Sequence, residues 1–148
     1  MVLITDETGF LDESSMRLME EVLGFVLSAV GCGEKSRELS VLFTSDERTR
    51  ELNRSWRGVD RTTDVLSFPA GDGPSEGGLL GDVVVNVDAA CRQARRWGVS
   101  PAEEIWRLLV HGVLHLCGYD HKRRQEREEM RRREEELLAE VRRRLETL

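Results

Sequence analysis

The chain reads as an α+β protein, a small mixed β-sheet of about four strands packed with about five helices. Three observations predict this. Short β-rich runs alternate with longer segments whose apolar residues recur at helical spacing. Two of the β-rich runs follow one another across turn chemistry, which joins antiparallel neighbours. The segment from Arg123 to Leu148 is charged throughout and keeps one apolar stripe.

Each element has its own warrant. "VLIT" (Val2 to Thr5) is a short strand. "SSMRLMEEVLGFVLSAVGCG" is a helix capped by Ser14 or Ser15. Its apolar residues Met16, Met19, Leu23, Val26, Leu27 and Val30 share a face, and Gly31 and Gly33 stop it. "ELSVLFTS" is a strand. "SDERTRELNRSWRG" begins at a Ser45 or Asp46 cap and ends at Gly58. "DVLSFPAG" and "LLGDVVVNVD" are two strands joined by "GDGPSEGG". "DAACRQARRWG" starts at an Asp88 cap and closes at Gly98. "SPAEEIWRLLVHGVLHLCG" has Ser100 as N-cap, Pro101 at the first helical position, Glu103 to complete a capping box and Gly118 as the stop. In the last helix Met130, Leu137, Val141, Leu145 and Leu148 form the stripe that packs down.

The 148 residues fit one domain, 1–148, large enough for a real core. No internal repeat or linker interrupts it. The longest apolar segment, Val22 to Cys32, is too short to span a membrane and follows an acidic stretch, so neither a membrane span nor a signal peptide is expected. Cys32, Cys91 and Cys117 are odd in number and far apart, and they read as free thiols in a reducing compartment, hence a cytoplasmic protein. Cys117 lies between two histidines and could be a ligand; a small buried side chain is the simpler reading.

The net charge of −6 excludes a protein that grips nucleic acid with its whole surface. The charge is unevenly spread. "RTRELNRSWRGVDR" carries Arg48, Arg50, Arg54, Arg57 and Arg61, and arginine's planar fork suits phosphate.

All three histidines lie in "HGVLHLCGYDH", residues 111 to 121. His111 and His115 are one helical turn apart on one face. Gly118 then breaks the helix and allows a left-handed turn, and His121 follows three residues later. Three imidazoles can thus surround one ion. Zinc takes imidazole nitrogen readily, and three protein ligands leave a fourth position for water, whose pKa falls to about 7. Nickel, copper and iron also accept such ligands. A fourth ligand from Cys117, Asp120 or elsewhere would close the site. Peptidases with this spacing place a Glu base after the first histidine; here that position is Gly112. Asp120, the only carboxylate inside the motif, can orient a ligand, cap the final helix or take a proton.

This motif resembles the signature of the YbeY family of bacterial endoribonucleases. "LNRSWRGVDRTTDVLSFP" (Leu52 to Pro69) is similar to the family's central motif, with Trp56 where Tyr is usual, and "LGDVVVNVDAA" to its next strand and helix start. The resemblance covers roughly residues 38 to 121. It implies an α+β fold with the metal helix buried centrally. It also implies His111, His115 and His121 as ligands of one zinc ion, and a role in activity for Arg57. The substrate it implies is single-stranded ribosomal RNA, cut at the 3′ end of the small-subunit RNA and in late ribosome quality control. The partners it implies are the small ribosomal subunit, a small-subunit ribosomal protein and the GTPase Era, with no membrane.

On that basis Arg57 would stabilise charge growing on a phosphate, against the alternative of a plain surface arginine. Asp64, Ser67, Phe68 and Asp82 read as structural, although Phe68 could stack on a base. Two other functions compete with the nuclease. One is a non-catalytic ribosome-assembly factor with a structural metal. The other is a small metal hydrolase of another substrate, such as a peptide, which Gly112 disfavours.

Overall fold

The computed structural model describes residues 1–31, 38–70, 79–119 and 122–147. Within them the elements run β1 (Val2–Asp6), α1 (Glu13–Ala29), β2 (Glu38–Thr44), α2 (Asp46–Arg57), β3 (Val65–Pro69), β4 (Leu79–Asn86), α3 (Val87–Trp97), α4 (Pro101–Leu116) and α5 (Arg124–Thr147). Four strands and five helices are what the sequence predicts, and the fold is α+β.

The strands form one sheet in the order β1-β2-β4-β3. β1 pairs in parallel with β2, and β2 with β4, so that Ile4 lies beside Val41 and Val41 beside Val83. β3 closes the edge antiparallel to β4, with Val65 opposite Val85 and Pro69 opposite Gly81. Strand alternation divides the side chains. Leu39, Val41 and Phe43 of β2, with Val83 and Val85 of β4, enter the helix-covered core. Ser40, Leu42, Asp82 and Val84 take the opposite side, where they line a groove with α2.

α4 is the central helix. Ile105, Leu108, Leu109, Val110, Val113 and Leu114 are each 1% exposed or less, and a helix apolar on so many sides must be covered. It packs on β3, β4, α3 and α5. Its approach to the sheet is set by Gly112. A Cβ built there would lie 2.7 Å from Val83 Cγ1 and 3.2 Å from Ser67 Oγ. The Ser67 hydroxyl donates to the Gly112 carbonyl at 3.1 Å, a direct bond between helix and edge strand. α5 then crosses α4 and α1, burying Met130, Leu137 and Val141 of the predicted stripe, with Leu145 partly buried against the core; Leu148 lies outside the described residues.

Two caps differ from expectation. α1 is capped by Asp12, whose carboxylate accepts from the Ser15 N–H at 2.7 Å, so Ser14 and Ser15 lie in the first turn. α3 is capped by Asn86, which accepts from the Ala89 N–H at 3.2 Å. The expected cap, Asp88, instead accepts from the Asp46 N–H at 2.9 Å. The reason is burial. Position 86 is 0% exposed at the end of a central strand, where an amide can accept and donate while an unpaired carboxylate would be costly. The Asn86 Nδ2 faces Asp46 Oδ1 at 2.7 Å, Thr62 Oγ1 at 3.0 Å and the Thr63 carbonyl at 3.0 Å. With the Asn53 side chain donating to the Arg61 carbonyl at 2.9 Å, these bonds fix the loop after α2. Ser45 and Ser100 cap α2 and α4 as predicted.

Arg92 grips Asp46 with two bonds, at 2.7 and 2.9 Å, and tightens the same latch. Arg92 is the main reason that the Asp46 carboxyl titrates below the usual range; partial burial opposes it and Asn86 assists. Asp46 therefore stabilises the fold fully above its unfolded pKa of about 3.9, and that contribution is lost as pH falls through the lower folded value. Asp46→Asn is expected to lower stability at neutral pH and to flatten the acid limb of a stability–pH profile measured by urea unfolding; an unchanged limb would remove Asp46 from the latch. A second expectation concerns Gly112→Ala. Overpacking costs about 1–3 kcal/mol and helix propensity returns about 1 kcal/mol. The urea midpoint should fall at constant m-value, and a higher midpoint would mean that α4 has room to move.

Candidate metal and RNA site

The candidate site grows from the far half of α4. His111 and His115 stand one turn apart on the helix flank and are half-buried, with ring centroids 4.8 Å apart and planes at 74°. The two rings meet edge-to-face rather than stacking flat. The helix then stops as predicted. The Tyr119 N–H donates to the Leu114 carbonyl at 3.0 Å and the Gly118 N–H to the His115 carbonyl at 3.1 Å. This is a Schellman closure, with Gly118 at φ 96°, a conformation costly for any residue with a Cβ. The chain is thereby turned back just beyond His115.

The expected third ligand, His121, and the carboxylate Asp120 lie outside the described residues. Among the described residues no group of three His, Cys, Asp or Glu side chains is placed to hold an ion. Cys117 is not available as a thiolate ligand, because it is disulfide-bonded. The expectation of free thiols holds at Cys91 and fails at Cys117; separation along the chain says nothing about separation in space. Cys32 lies outside the described residues.

A residue that sequence reasoning passed over joins the site. His111 Nδ1 hydrogen-bonds Glu134 Oε1 of α5. A carboxylate can only accept, so Nδ1 carries the hydrogen and the lone pair of His111 is left on Nε2. That is the tautomer a metal-ligating histidine takes when a carboxylate supports it. The donor set therefore fits a transition-metal ion: two imidazoles on one flank, one already fixed in tautomer. The signal for Glu134 was present in the sequence. It falls four residues after Met130 and three before Leu137, inside the apolar stripe, and is 15% exposed. A carboxylate at a core-facing position needs a partner.

One turn ahead of His111, Arg107 binds the buried Glu104 through bonds of 2.6 and 2.9 Å and lies over the Trp97 ring at 5.1 Å. Glu104 holds the Arg107 proton more firmly than usual against the opposing effect of burial, with smaller contributions from Asp64 and Glu134. Arg107 is thus the fixed positive charge between α4, α5 and the start of β3.

The remaining candidates fall into place around this. Gly112, where a peptidase would carry its base, faces Val83 and Ser67 at contact distance. A glutamate there would run into the sheet, so the position cannot serve that chemistry. The Ser67 hydroxyl anchors α4, and Asp64 accepts from Gln93 Nε2 at 3.2 Å. Arg57 is the exposed last residue of α2 before the left-handed cap Gly58. Among the described residues no hydrogen bond or ion pair joins Arg57 to the histidines. Phe68 departs from expectation. It lies outside the hydrophobic core, half-exposed on the groove side of β3 and edge-on to Trp56, with centroids 6.5 Å apart. Asp82 lines the same groove.

Comparison with known proteins agrees with this architecture. Residues 3–142 match the profile of the family described as Endoribonuclease YbeY. An Endoribonuclease YbeY of Anaeromyxobacter dehalogenans is 44% identical over 123 residues, which is 83% of this chain and 62% of that protein. The chain thus spans less than two thirds of that relative's length. One of Shouchella clausii is 40% identical over 146 residues, 91% of each chain. The solution structure of a Thermotoga maritima protein superposes with a TM-score of 0.67 at 27% identity, covering 95% of this chain and 89% of that one. By the extent of the profile match and by these relatives, the chain belongs to the YbeY family.

Proposed function

We propose that this chain is a metal-dependent endoribonuclease that cuts single-stranded ribosomal RNA. We further propose that it acts at the 3′ end of the small-subunit RNA and in late quality control of the ribosome, in the cytoplasm. The observation that carries the reading is the histidine pair on α4, with the His111 tautomer set by Glu134 and the helix stopped at Gly118. The relatives' names, Endoribonuclease YbeY, supply the substrate class. The small subunit, one of its proteins and the GTPase Era are proposed as the partners that bring the enzyme to its RNA. No helix among the described residues is long and apolar enough to cross a membrane.

His111, His115 and His121 are proposed to hold one zinc ion, with other divalent transition metals chemically admissible. When bound, the ion supplies Lewis acidity toward a phosphoryl oxygen and toward water. The chain's own residues do the rest. Glu134 keeps the hydrogen of His111 on Nδ1 and the ring in place. Arg57, always charged, stabilises negative charge growing on the phosphate. Asp120 orients a ligand or the incoming nucleophile. Gly112 keeps the helix against the sheet and supplies no acid or base.

Purified protein is expected to carry about one zinc per chain and to lose cleavage of a single-stranded RNA on chelation, with zinc restoring it. His115→Ala should remove both metal and cleavage. Arg57→Ala should keep the metal and lose roughly 100-fold in single-turnover rate. Ribosomal RNA processing restored by His115→Ala would instead support an assembly factor without catalysis. Product ends report the nucleophile: a 2′,3′-cyclic phosphate implicates the RNA's own hydroxyl. Glu134→Ala should weaken zinc affinity by about 10–100-fold in a chelator competition, with Glu134→Gln intermediate; equal affinities would reduce Glu134 to a packing contact.

A further inference from the structure

Along α4 from Glu104 to His115, every residue is buried except Arg107, His111 and His115. These follow one another at four-residue spacing and form a single line along the helix. A helix covered so deeply opens one flank only, and that flank carries a guanidinium and two imidazoles. The imidazoles belong to the candidate metal site. The guanidinium is the one chemical group of the flank that the proposed site does not use.

Arg107 is fixed from several directions. Its fork donates to the buried Glu104 at 2.6 and 2.9 Å, and it lies over the Trp97 ring of α3 at 5.1 Å. Toward α5 it lines a cavity of about 170 Å³ together with Leu138 and Val141. Leu138 stands one turn beyond Glu134 on α5, and Arg107 one turn before His111 on α4. Arg107 and His111 therefore face successive turns of the same helix. Glu134 is 15% exposed, and among the described residues its one hydrogen-bond or ion-pair partner is the His111 ring. A neutral ring alone does not balance a carboxylate so far withdrawn from water. The balancing charge is Arg107. Glu104 contributes most to holding the Arg107 proton, burial opposes it, and Asp64 and Glu134 add to the hold.

We propose that Arg107 is a positioning residue for His111: anchored by the buried Glu104, it draws the Glu134 carboxylate toward α4 and keeps it on the imidazole Nδ1, which leaves the Nε2 lone pair for a metal ion. The inference rests on the reading of the histidine pair as metal ligands and adds the group that orders their carboxylate support. Arg107 acts here by charge at a distance and by the rigidity of its own anchor, since no direct ion pair joins it to Glu134 among the described residues. Glu104 also offsets the charge of Arg107, so the carboxylate is ordered without an uncompensated cation beside a metal site. Lysine would supply the charge, but its single ammonium lacks the fork that Glu104 grips.

Arg107→Ala alone strands the buried Glu104 carboxylate and threatens the fold. The test therefore replaces the pair, Glu104→Gln with Arg107→Gln, which removes both charges and keeps the size and hydrogen bonding of the side chains. In the metal-free full chain at pH about 8, above the ordinary histidine range, nitrogen NMR should show His111 almost wholly as the Nδ1–H tautomer. The paired replacement should give a mixture of the two tautomers. It should also weaken zinc binding by about 10-fold in a chelator competition. Arg107→Lys, which keeps the charge, should retain the tautomer. In a Glu134→Ala background the paired replacement should leave zinc affinity unchanged, because its effect runs through that carboxylate. An unchanged tautomer, or a loss of zinc affinity that persists without Glu134, overturns the proposal. So does a replacement that lowers the urea midpoint equally with and without Glu134 and moves nothing else, which would make the pair a packing contact. The outcomes separate from those of the nuclease reading. A chain whose His111 tautomer depends on Arg107 and which cuts no RNA keeps the positioning role and loses the nuclease. An enzyme that cuts RNA with a tautomer indifferent to Arg107 does the reverse.

Discussion

The structure depends on how closely one helix approaches one sheet. α4 rests on β4 and β3 with only a hydrogen atom at position 112 between its backbone and Val83. Glycine weakens a helix interior by about 1 kcal/mol, yet here it permits the contact that buries six apolar side chains of α4 almost completely. The same contact fixes where the histidines stand. His111 is adjacent to Gly112 in sequence, so its ring is set by how tightly the helix seats. The Ser67 bond to the Gly112 carbonyl adds direction to what is otherwise a non-directional fit. The geometry also separates this helix from the metallopeptidase pattern at a physical level. Where such an enzyme keeps a base over its metal, this chain has sheet.

The charged residues follow the same organisation. Glu104 is 1% exposed, and the forked bond from Arg107 makes that burial tolerable. Glu134 enters the apolar stripe of α5 and meets a histidine of α4. Both carboxylates are thus bound to donors on α4. α5, the most highly charged helix, is joined to the core at two levels: by Met130, Leu137 and Val141 through packing, and by Glu134 through a polar bond. A change in α5 should therefore be felt at His111 even though no residue of that helix need touch a substrate.

Most of the fold was legible because its signals are local. Strand alternation, helical spacing, Pro101 at the first turn and Gly118 at a helix end are each read within a few residues, and the β3–β4 pairing follows from one short connection. The helix half of the histidine motif was legible for the same reason. What escaped depends on burial or on contacts distant in sequence. Asp88 and Asn86 are both good caps by type, and only the complete burial of position 86 decides between them. Cys117 gave no hint of its disulfide. Phe68 read as structural from its place at the end of an apolar strand, but it falls on the strand face that lines the groove and not in the core. Glu134 is the instructive miss, since the heptad-like stripe was read for its apolar members and not for the polar residue standing among them.

The edge strand β3 presents side chains to both faces of the sheet. Its side chains alternate across a single backbone, Ser67 to the histidine helix and Phe68 to the groove. An interior strand with the same alternation would isolate the two faces, because neighbours on both sides would close the way round. At the edge, both faces remain accessible from one side. The net charge of −6 means that any anionic polymer would be repelled by most of the surface.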